Sequence, residues 1–116
     1  MMKSGIVYEQ GEIVVVPFPF SNLSEIKQRP VLILSKSKDI FNSEDIVTCG
    51  ITSNLKDSKN SVLIENSNLE KGVIPRKSRI KIDKLFTLDK RIIIKKVARL
   101  NEDTFLKVKQ EFNRLL

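Results

Sequence analysis

The stretch GEIVVVPFPF, residues 11–20, decides the fold. Residues 13–16 are all β-branched, and such side chains pack well on the pleated surface of a strand. Pro17 and Pro19 lack the amide hydrogen that a sheet ladder needs, so we expect this end of the strand to lie at a sheet edge or to leave the sheet. The stretch therefore predicts a first strand, which a polar loop at residues 21–28 follows.

Short apolar runs separated by polar turns continue along the chain and are typical of a β-rich domain. Residues 29–35 are nearly all apolar, which predicts a strand buried on both faces, as in a barrel or under a partner subunit. Residues 45–52 predict a third strand with two different faces. The residues expected to face the core are Val47, Cys49 and Ile51. The residues expected to face away are Thr48, Gly50 and Thr52.

The remaining segments complete a small sheet. Residues 36–44 predict a loop or one short helical turn, residues 61–65 a short strand, and residues 70–77 a loop around Gly72 and Pro75. Residues 91–98 predict a further β-rich run. These are local patterns, and they do not say how the strands pair.

Clean alternation marks residues 78–83 as a strand. We expect Ile80 and Ile82 to point inwards, and the outward residues in this prediction are Arg79, Lys81 and Asp83. Residues 84–88 either continue this strand or turn.

A helix is predicted at the end of the chain. Asn101 can cap it, and Glu102 and Asp103 suit its positive end. One apolar stripe repeats at intervals of three and four. Its members are Phe105, Val108, Phe112 and Leu115. The expected fold is therefore mainly β, a strongly bent or barrel-like sheet with a C-terminal helix, in a single domain over residues 1–116.

Composition narrows the function classes. The 116 residues carry 21 Lys and Arg against 14 Asp and Glu, and the net charge of +7 favours a nucleic acid or an acidic protein as partner. The absence of His and the lone Cys49 leave only carboxylates as metal ligands, so we expect no metal or other cofactor. One cysteine cannot form an internal disulfide, and no apolar run approaches the ~20 residues of a membrane span. A cytoplasmic protein is expected.

Four motifs, taken in order, resemble those of the MazF/PemK toxin family. They are GEIVVVPFPF at 11–20, RPVLIL at 29–34, ITS at 51–53 and SRIKIDKLFTL at 78–88. The resemblance implies an SH3-like barrel of the CcdB/PemK type and a homodimer. It implies a sequence-selective, metal-independent endoribonuclease that cuts single-stranded RNA, such as mRNA, to 2′,3′-cyclic phosphate and 5′-hydroxyl ends. It also implies a cognate antitoxin with an acidic, disordered tail.

Arg29 is the first candidate catalytic residue. It is expected to start the second strand directly after a polar loop, so its guanidinium can project beside that loop. Attack of a 2′-hydroxyl on the adjacent phosphate passes through a dianionic transition state, which suits the forked donors of Arg. A surface Arg before a buried strand is the alternative, and the family resemblance favours the catalytic interpretation.

Thr52 and Glu25 complete the predicted catalytic set. The hydroxyl of Thr52 can donate to a phosphate oxygen, and the family has an active-site Thr at this position. The family often places an acidic residue in the first loop, where Glu25 could accept the 2′-hydroxyl proton. A solvated loop carboxylate is an equal alternative for Glu25.

Further basic and hydroxyl side chains are predicted to contact RNA. They are Lys27, Ser53, Ser78, Arg79, Lys81 and Lys84. An outward Lys can equally guard a sheet edge, and Ser78 can equally hold a turn. Phe18 and Phe20 could stack on bases, but core packing is the favoured interpretation for them. Cys49 is expected in the core and not as a nucleophile.

Two other functions stay open at this stage. Gyrase poisons of the same fold act through a tail that contains Trp, whereas this chain has no Trp and ends in RLL. A non-catalytic SH3-like module that binds nucleic acid or protein is the stronger alternative, although Arg29 and Thr52 argue against it. An RNA cleavage assay in EDTA separates the two classes.

Overall fold

The computed structural model describes residues 6–19, 26–56 and 58–116. Seven strands and two α-helices lie within these ranges. The strands are β1 (Glu12–Pro19), β2 (Ile26–Ile33), β3 (Asp45–Thr52), β4 (Ser61–Ile64), β5 (Leu69–Gly72), β6 (Ser78–Asp89) and β7 (Lys95–Leu100). The helices are α1 (Ser37–Asn42) and α2 (Glu102–Leu115). Short 3₁₀ turns occupy Asn66–Asn68 and Lys90–Ile92.

The strands form one curled antiparallel sheet in the order β4-β6-β3-β2-β1-β7-β5. The β-branched run of β1 pairs with β2 from Ile13 to Pro19, but with β7 only as far as Val15. Pro17 and Pro19 thus lie where β1 has lost its β7 neighbour, which confirms the expected position of the prolines at an edge. The prediction of a mainly β fold with a C-terminal helix is also confirmed.

Both faces of the sheet carry a hydrophobic core. The helix-side core lies under α2 and includes Ile13, Leu32, Cys49, Ile80, Ile82 and Val108. The pocket-side core covers the other face and includes Val14, Val16, Val31, Ile33, Ile46 and Ile93. Val31, Leu32 and Ile33 of β2 alternate between the two cores and are at most 1% exposed, so this end of the strand is buried on both faces as predicted. Arg29, at the start of the predicted strand, is exposed instead.

Helix α2 begins as predicted. The side chain of Asn101 accepts a hydrogen bond from the backbone N–H of Thr104 at 2.9 Å. Val108 is buried, and Phe105 and Phe112 pack against the helix-side core. The predicted stripe is wrong at Leu115, which is 37% exposed.

The predicted core face of β3 needs one correction. Cys49 is buried, but Val47 is 41% exposed, because it lies at the rim of the face that α2 covers. On the opposite face, which the sequence pattern placed outside the core, Thr48 is fully buried and donates a hydrogen bond to the carbonyl oxygen of Phe86 at 3.0 Å. Alternation separated the two faces but could not show that both are covered.

Three predicted boundaries are wrong. Strand β2 begins at Ile26 and not at Arg29, because it follows β1 to its end. Strand β5 overlaps the start of the predicted 70–77 loop, because its backbone pairs with β7. Residues Lys90–Ile92 form a 3₁₀ turn, so the last strand starts later than expected. No helix in the described ranges has the length and apolar character that a membrane crossing needs.

Candidate functional site

A pocket of about 500 Å³ opens on the pocket-side face of the sheet. It lies where the end of β1, residues 29–31 of β2 and the end of β3 meet β6. Four cations line it: Arg29, Lys56, Lys81 and Lys84. The neutral polar side chains in the lining are Thr52, Asn54 and Ser58. Among the described residues, the lining contains no carboxylate. The pocket therefore presents many hydrogen-bond donors and a positive charge.

Strand pairing brings Arg29 and Thr52 together. Val31 of β2 pairs with Gly50 of β3, and the same register continued by two residues sets Arg29 opposite Thr52. Arg29 does not start its strand, as the sequence suggested, but lies inside β2 opposite Val16 of β1. Its backbone is thus held by the sheet while its side chain is exposed in the pocket. The predicted pair of candidate catalytic residues shares one site.

Thr52 is oriented by the turn that follows β3. Its Oγ1 accepts a hydrogen bond from the backbone N–H of Asn54 at 3.1 Å. Accepting this bond does not use the hydroxyl hydrogen, which can still be donated. The side chain of Asn54 in turn accepts the backbone N–H of Lys56 at 3.0 Å. The end of β3 therefore holds a hydroxyl donor next to an ordered turn.

An irregularity in β6 places Lys81 and Lys84 in the same pocket. Gly50 pairs with Lys81 but Cys49 pairs with Leu85, so residues 82–84 bulge out of the ladder. In a regular strand, residues three apart face opposite sides of the sheet. The bulge changes the alternation, and both lysines line the pocket. Gly50 lies next to the bulge, and a Cβ there would meet Cβ of Lys84 at 3.6 Å, an ordinary van der Waals contact.

Two aromatic rings form the apolar part of the lining. Phe18 and Phe86 meet edge to face, with ring centroids 4.9 Å apart and planes at 81°. Phe18 packs against the pocket-side core and also lines the pocket, so its core packing does not prevent its ring from contacting a base. Phe20 lies outside the described residues.

Arg79 and Lys81 donate hydrogen bonds to the loop at residues 53–60. Nε of Arg79 donates to the carbonyl oxygen of Leu55 at 3.2 Å, and its Nη1 donates to Oγ of Ser61 at 3.1 Å. Nζ of Lys81 donates to Oγ of Ser58 at 2.9 Å. Lys81 lines the pocket, whereas Arg79 does not. The sequence showed two outward cations but not the loop that they meet.

The other predicted contact residues lie outside the pocket lining. Lys27 is exposed on β2 two residues before Arg29, and Ser53 is exposed just after β3. Ser78 is buried and donates to the carbonyl oxygen of Arg76 at 3.1 Å, so it holds the turn before β6. Glu25 lies outside the described residues.

Sequence reasoning missed three lining residues of the 53–60 loop: Asn54, Lys56 and Ser58. A usable signal was present, because this polar loop follows directly on Thr52. Phe86 was also missed, although it lies within the motif at 78–88.

The described residues offer neither a metal site nor a reactive thiol. In the ranges that the structure covers, no group of three or more His, Cys, Asp or Glu side chains could hold a metal ion. Cys49 belongs to the helix-side core, and burial raises the pKa of its thiol to about 12. It therefore stays protonated near neutral pH, and its expected place in the core is confirmed.

The chain matches a family model described as PemK-like, MazF-like toxin of type II toxin-antitoxin system, over residues 9–116. A mycobacterial endoribonuclease solved with its cognate antitoxin superposes with a TM-score of 0.77 at 16% identity, covering 93% of each chain. A MazE-MazF crystal structure (Form-III) from Deinococcus radiodurans gives 0.74 at 21% identity, covering 95% of this chain and 96% of that one. The Mycobacterium tuberculosis toxin MazF-mt6 gives 0.69 at 15%, covering 87% and 93%. These likenesses show the fold. A comparison with curated proteins finds no significant match.

Proposed function

Since the chain belongs to the PemK-like, MazF-like toxin family of type II toxin-antitoxin systems, we propose that it is a sequence-selective endoribonuclease that cuts single-stranded RNA in the pocket. One observation carries the proposal. Arg29 and Thr52 are 23 residues apart in sequence but line the same cationic pocket. A mycobacterial endoribonuclease of the same fold also supports it.

The reaction needs only groups of the substrate and the protein. The 2′-oxygen attacks the adjacent phosphorus, the bond to the 5′-oxygen breaks, and the products carry a 2′,3′-cyclic phosphate and a 5′-hydroxyl. The 2′-hydroxyl loses a proton and the departing 5′-oxygen gains one. Because the nucleophile belongs to the RNA, no metal-bound water is required, and the proposed reaction is metal-independent.

We assign stabilisation of the transition state to Arg29. Its planar guanidinium can give two parallel hydrogen bonds to the phosphate as negative charge accumulates there. Thr52 donates its hydroxyl hydrogen to a second phosphate oxygen. Lys81 and Lys84 hold neighbouring phosphates. A guanidinium is a poor base, so we assign proton removal to a carboxylate and propose Glu25 for it.

The same cations suit an acidic partner. A cognate antitoxin with an acidic, disordered tail would meet Arg29, Lys56 and Lys84 and would exclude RNA by occupying the pocket. A homodimer would present two such pockets, and a toxin that acts on mRNA would work in the cytoplasm. These partners and this location are part of the proposal.

The test is cleavage of a long RNA transcript by the purified protein in EDTA, with analysis of the new ends. Arg29→Ala should slow cleavage by about 10²-fold or more, and Thr52→Ala should slow it less, because a neutral donor is weaker. Thr52→Ser keeps the hydroxyl and should stay near the wild-type rate. Arg114→Ala is the matched control, since Arg114 is 77% exposed on α2, on the opposite face of the sheet.

Three outcomes would contradict the proposal. The first is a folded Arg29→Ala protein that cuts at the wild-type rate. The second is activity that EDTA removes and Mg²⁺ restores, or cutting of all-DNA strands, which lack the attacking hydroxyl. The third is a wild-type protein that binds RNA without cutting it, which would indicate a non-catalytic binding module.

A further inference from the structure

One wall of the pocket is a loop with little apolar anchoring. The pocket-wall loop, residues 53–60, contributes Asn54, Lys56 and Ser58 to the lining. Its one large apolar side chain, Leu55, is 44% exposed, so burial contributes little to holding the loop in place. Hydrogen bonds to the described part of the loop therefore contribute to the position of this wall.

Side chains from β6 and the start of β4 provide these bonds. Arg79 connects the middle of the loop to the first residue of β4, because it donates from Nε to the Leu55 carbonyl and from Nη1 to Oγ of Ser61. Ser61 in turn donates to the carbonyl oxygen of Ser58 at 2.8 Å. The backbone of Arg79 is itself fixed on both sides, since it pairs with Thr52 of β3 and with Leu63 of β4.

We propose that Arg79 is a positioning residue, which fixes the pocket-wall loop and thereby determines which RNA sequence is cut. This inference rests on the proposed ribonuclease function. The guanidinium makes two bonds from two different nitrogens, and a fixed fork of this kind sets a loop more rigidly than one bond does. Arg79 does not contact the substrate in this scheme, although its sequence pattern predicts a phosphate contact.

The loop carries a group suited to reading a base. Oδ1 of Asn54 accepts the backbone N–H of Lys56, so the amide plane is set by the loop and the NH₂ group can donate to an acceptor atom on a base edge. Such a donor discriminates between bases only if its position is held closely. Loosening the loop should therefore lower selectivity before it lowers the cutting rate.

Charge and geometry can be separated at this residue. Arg79→Lys keeps the positive charge but cannot make both bonds of the fork, whereas Arg79→Gln removes the charge as well. A positioning role predicts that both variants lose selectivity while the salt dependence of RNA binding stays unchanged. A phosphate contact predicts instead that Arg79→Lys resembles the wild type, and that Arg79→Gln lowers the salt slope by about 0.7 with selectivity intact.

Limited trypsin digestion measures the loop without any RNA. Lys56 and Lys59 are cutting points within the loop, and Lys56 is exposed. Arg79→Lys should raise the cutting rate there about tenfold, because opening the loop no longer breaks two charge-assisted bonds. Ser61→Ala, which removes one acceptor of the fork and the bond to Ser58, should act in the same direction. Arg114→Lys is the control for the substitution itself and should leave the rate unchanged.

The second measurement maps cleavage sites on a long RNA transcript. For Arg79→Lys and Ser61→Ala, the rate ratio between the preferred site and the next best site should fall about tenfold. Unchanged trypsin rates and unchanged selectivity in folded variants would overturn the inference. Wild-type protein that cuts no RNA would overturn the proposed function and the selectivity role with it, whereas the trypsin rates decide by themselves whether Arg79 holds the loop.

Discussion

Four cations line the pocket, and we expect them to make RNA binding depend steeply on salt. A protein that neutralises phosphates of a single strand releases counterions, and log affinity falls by about 0.7 per phosphate for each log unit of salt. If each of the four cations neutralises one phosphate, the slope is about −2.8. A rise in KCl from about 0.05 M to about 0.2 M should then weaken binding by about 50-fold.

Lys84→Gln is the perturbation that tests this value. Lys84 is exposed in the lining, and Gln keeps much of its length without the charge. With three cations left, the slope should fall to about −2.1, and the same rise in salt should weaken binding by about 20-fold. Lys107→Gln is the matched control, because Lys107 is exposed on α2 and α2 covers the opposite face of the sheet.

The assay is fluorescence anisotropy of a labelled single-stranded RNA with 2′-O-methyl groups, which cannot be cut because its nucleophile is blocked. Affinity is measured at several KCl concentrations for the wild type and both variants. A wild-type slope near zero would refute the assumption that each pocket cation neutralises one phosphate. So would an equal change of slope in Lys107→Gln and Lys84→Gln, because net charge alone would then explain the binding.

Other predictions concern the framework. Because burial raises the Cys49 pKa to about 12, its thiolate fraction at pH 8 is about 10³-fold below that of an ordinary thiol. Iodoacetamide should therefore label the native protein at least that much more slowly than the urea-unfolded protein. Labelling rates within tenfold of each other would contradict this. Gly72 has φ +78, and a Cβ there would lie 2.2 Å from a backbone oxygen, so Gly72→Ala should lower the free energy of unfolding by more than about 2 kcal/mol in urea. Gly11→Ala, at φ +88 but with 3.6 Å of clearance, should cost about 1 kcal/mol, and equal losses would show that the clash relaxes. Hydrogen bonds from Arg91 lower the Asp89 pKa to about 2, so their stabilisation is present above the ordinary carboxyl pKa and is lost progressively as pH falls through 2. Asp89→Asn should therefore destabilise the protein more at pH 7 than at pH 2, and the same loss at both pH values would count against this.

The parts of the fold that follow from local physics could be predicted. The β-branched run of β1, the extent of β3 and the Asn101 cap all come from residues close in sequence. Strand β5 could not be predicted, because LEKG has no apolar alternation. It is a strand because its backbone pairs with β7, where Gly72 lies opposite Ala98. Pairing between distant segments leaves no local pattern.

The candidate site, like the fold, could be predicted from the sequence only in part. Residue type and family resemblance were sufficient to select Arg29 and Thr52, and they line one pocket. The environment of Arg79 was out of reach, because nothing near it in sequence indicates that the 53–60 loop returns to meet its guanidinium. An outward direction on a strand says where a side chain leaves the sheet but not what it meets beyond it.

Because of the bulge at residues 82–84, the number of residues in this part of β6 matters more than which residues they are. Asp83 is exposed there, so exchanging it for another residue should be tolerated. Deleting it should not be, because Phe86 and Leu88 would then turn away from the pocket-side face and Leu85 and Thr87 would turn towards it. Related genes should accordingly accept point changes at this codon but few insertions or deletions of single codons around it. An engineer who wishes to vary the pocket should substitute residues in β6 and keep their number constant.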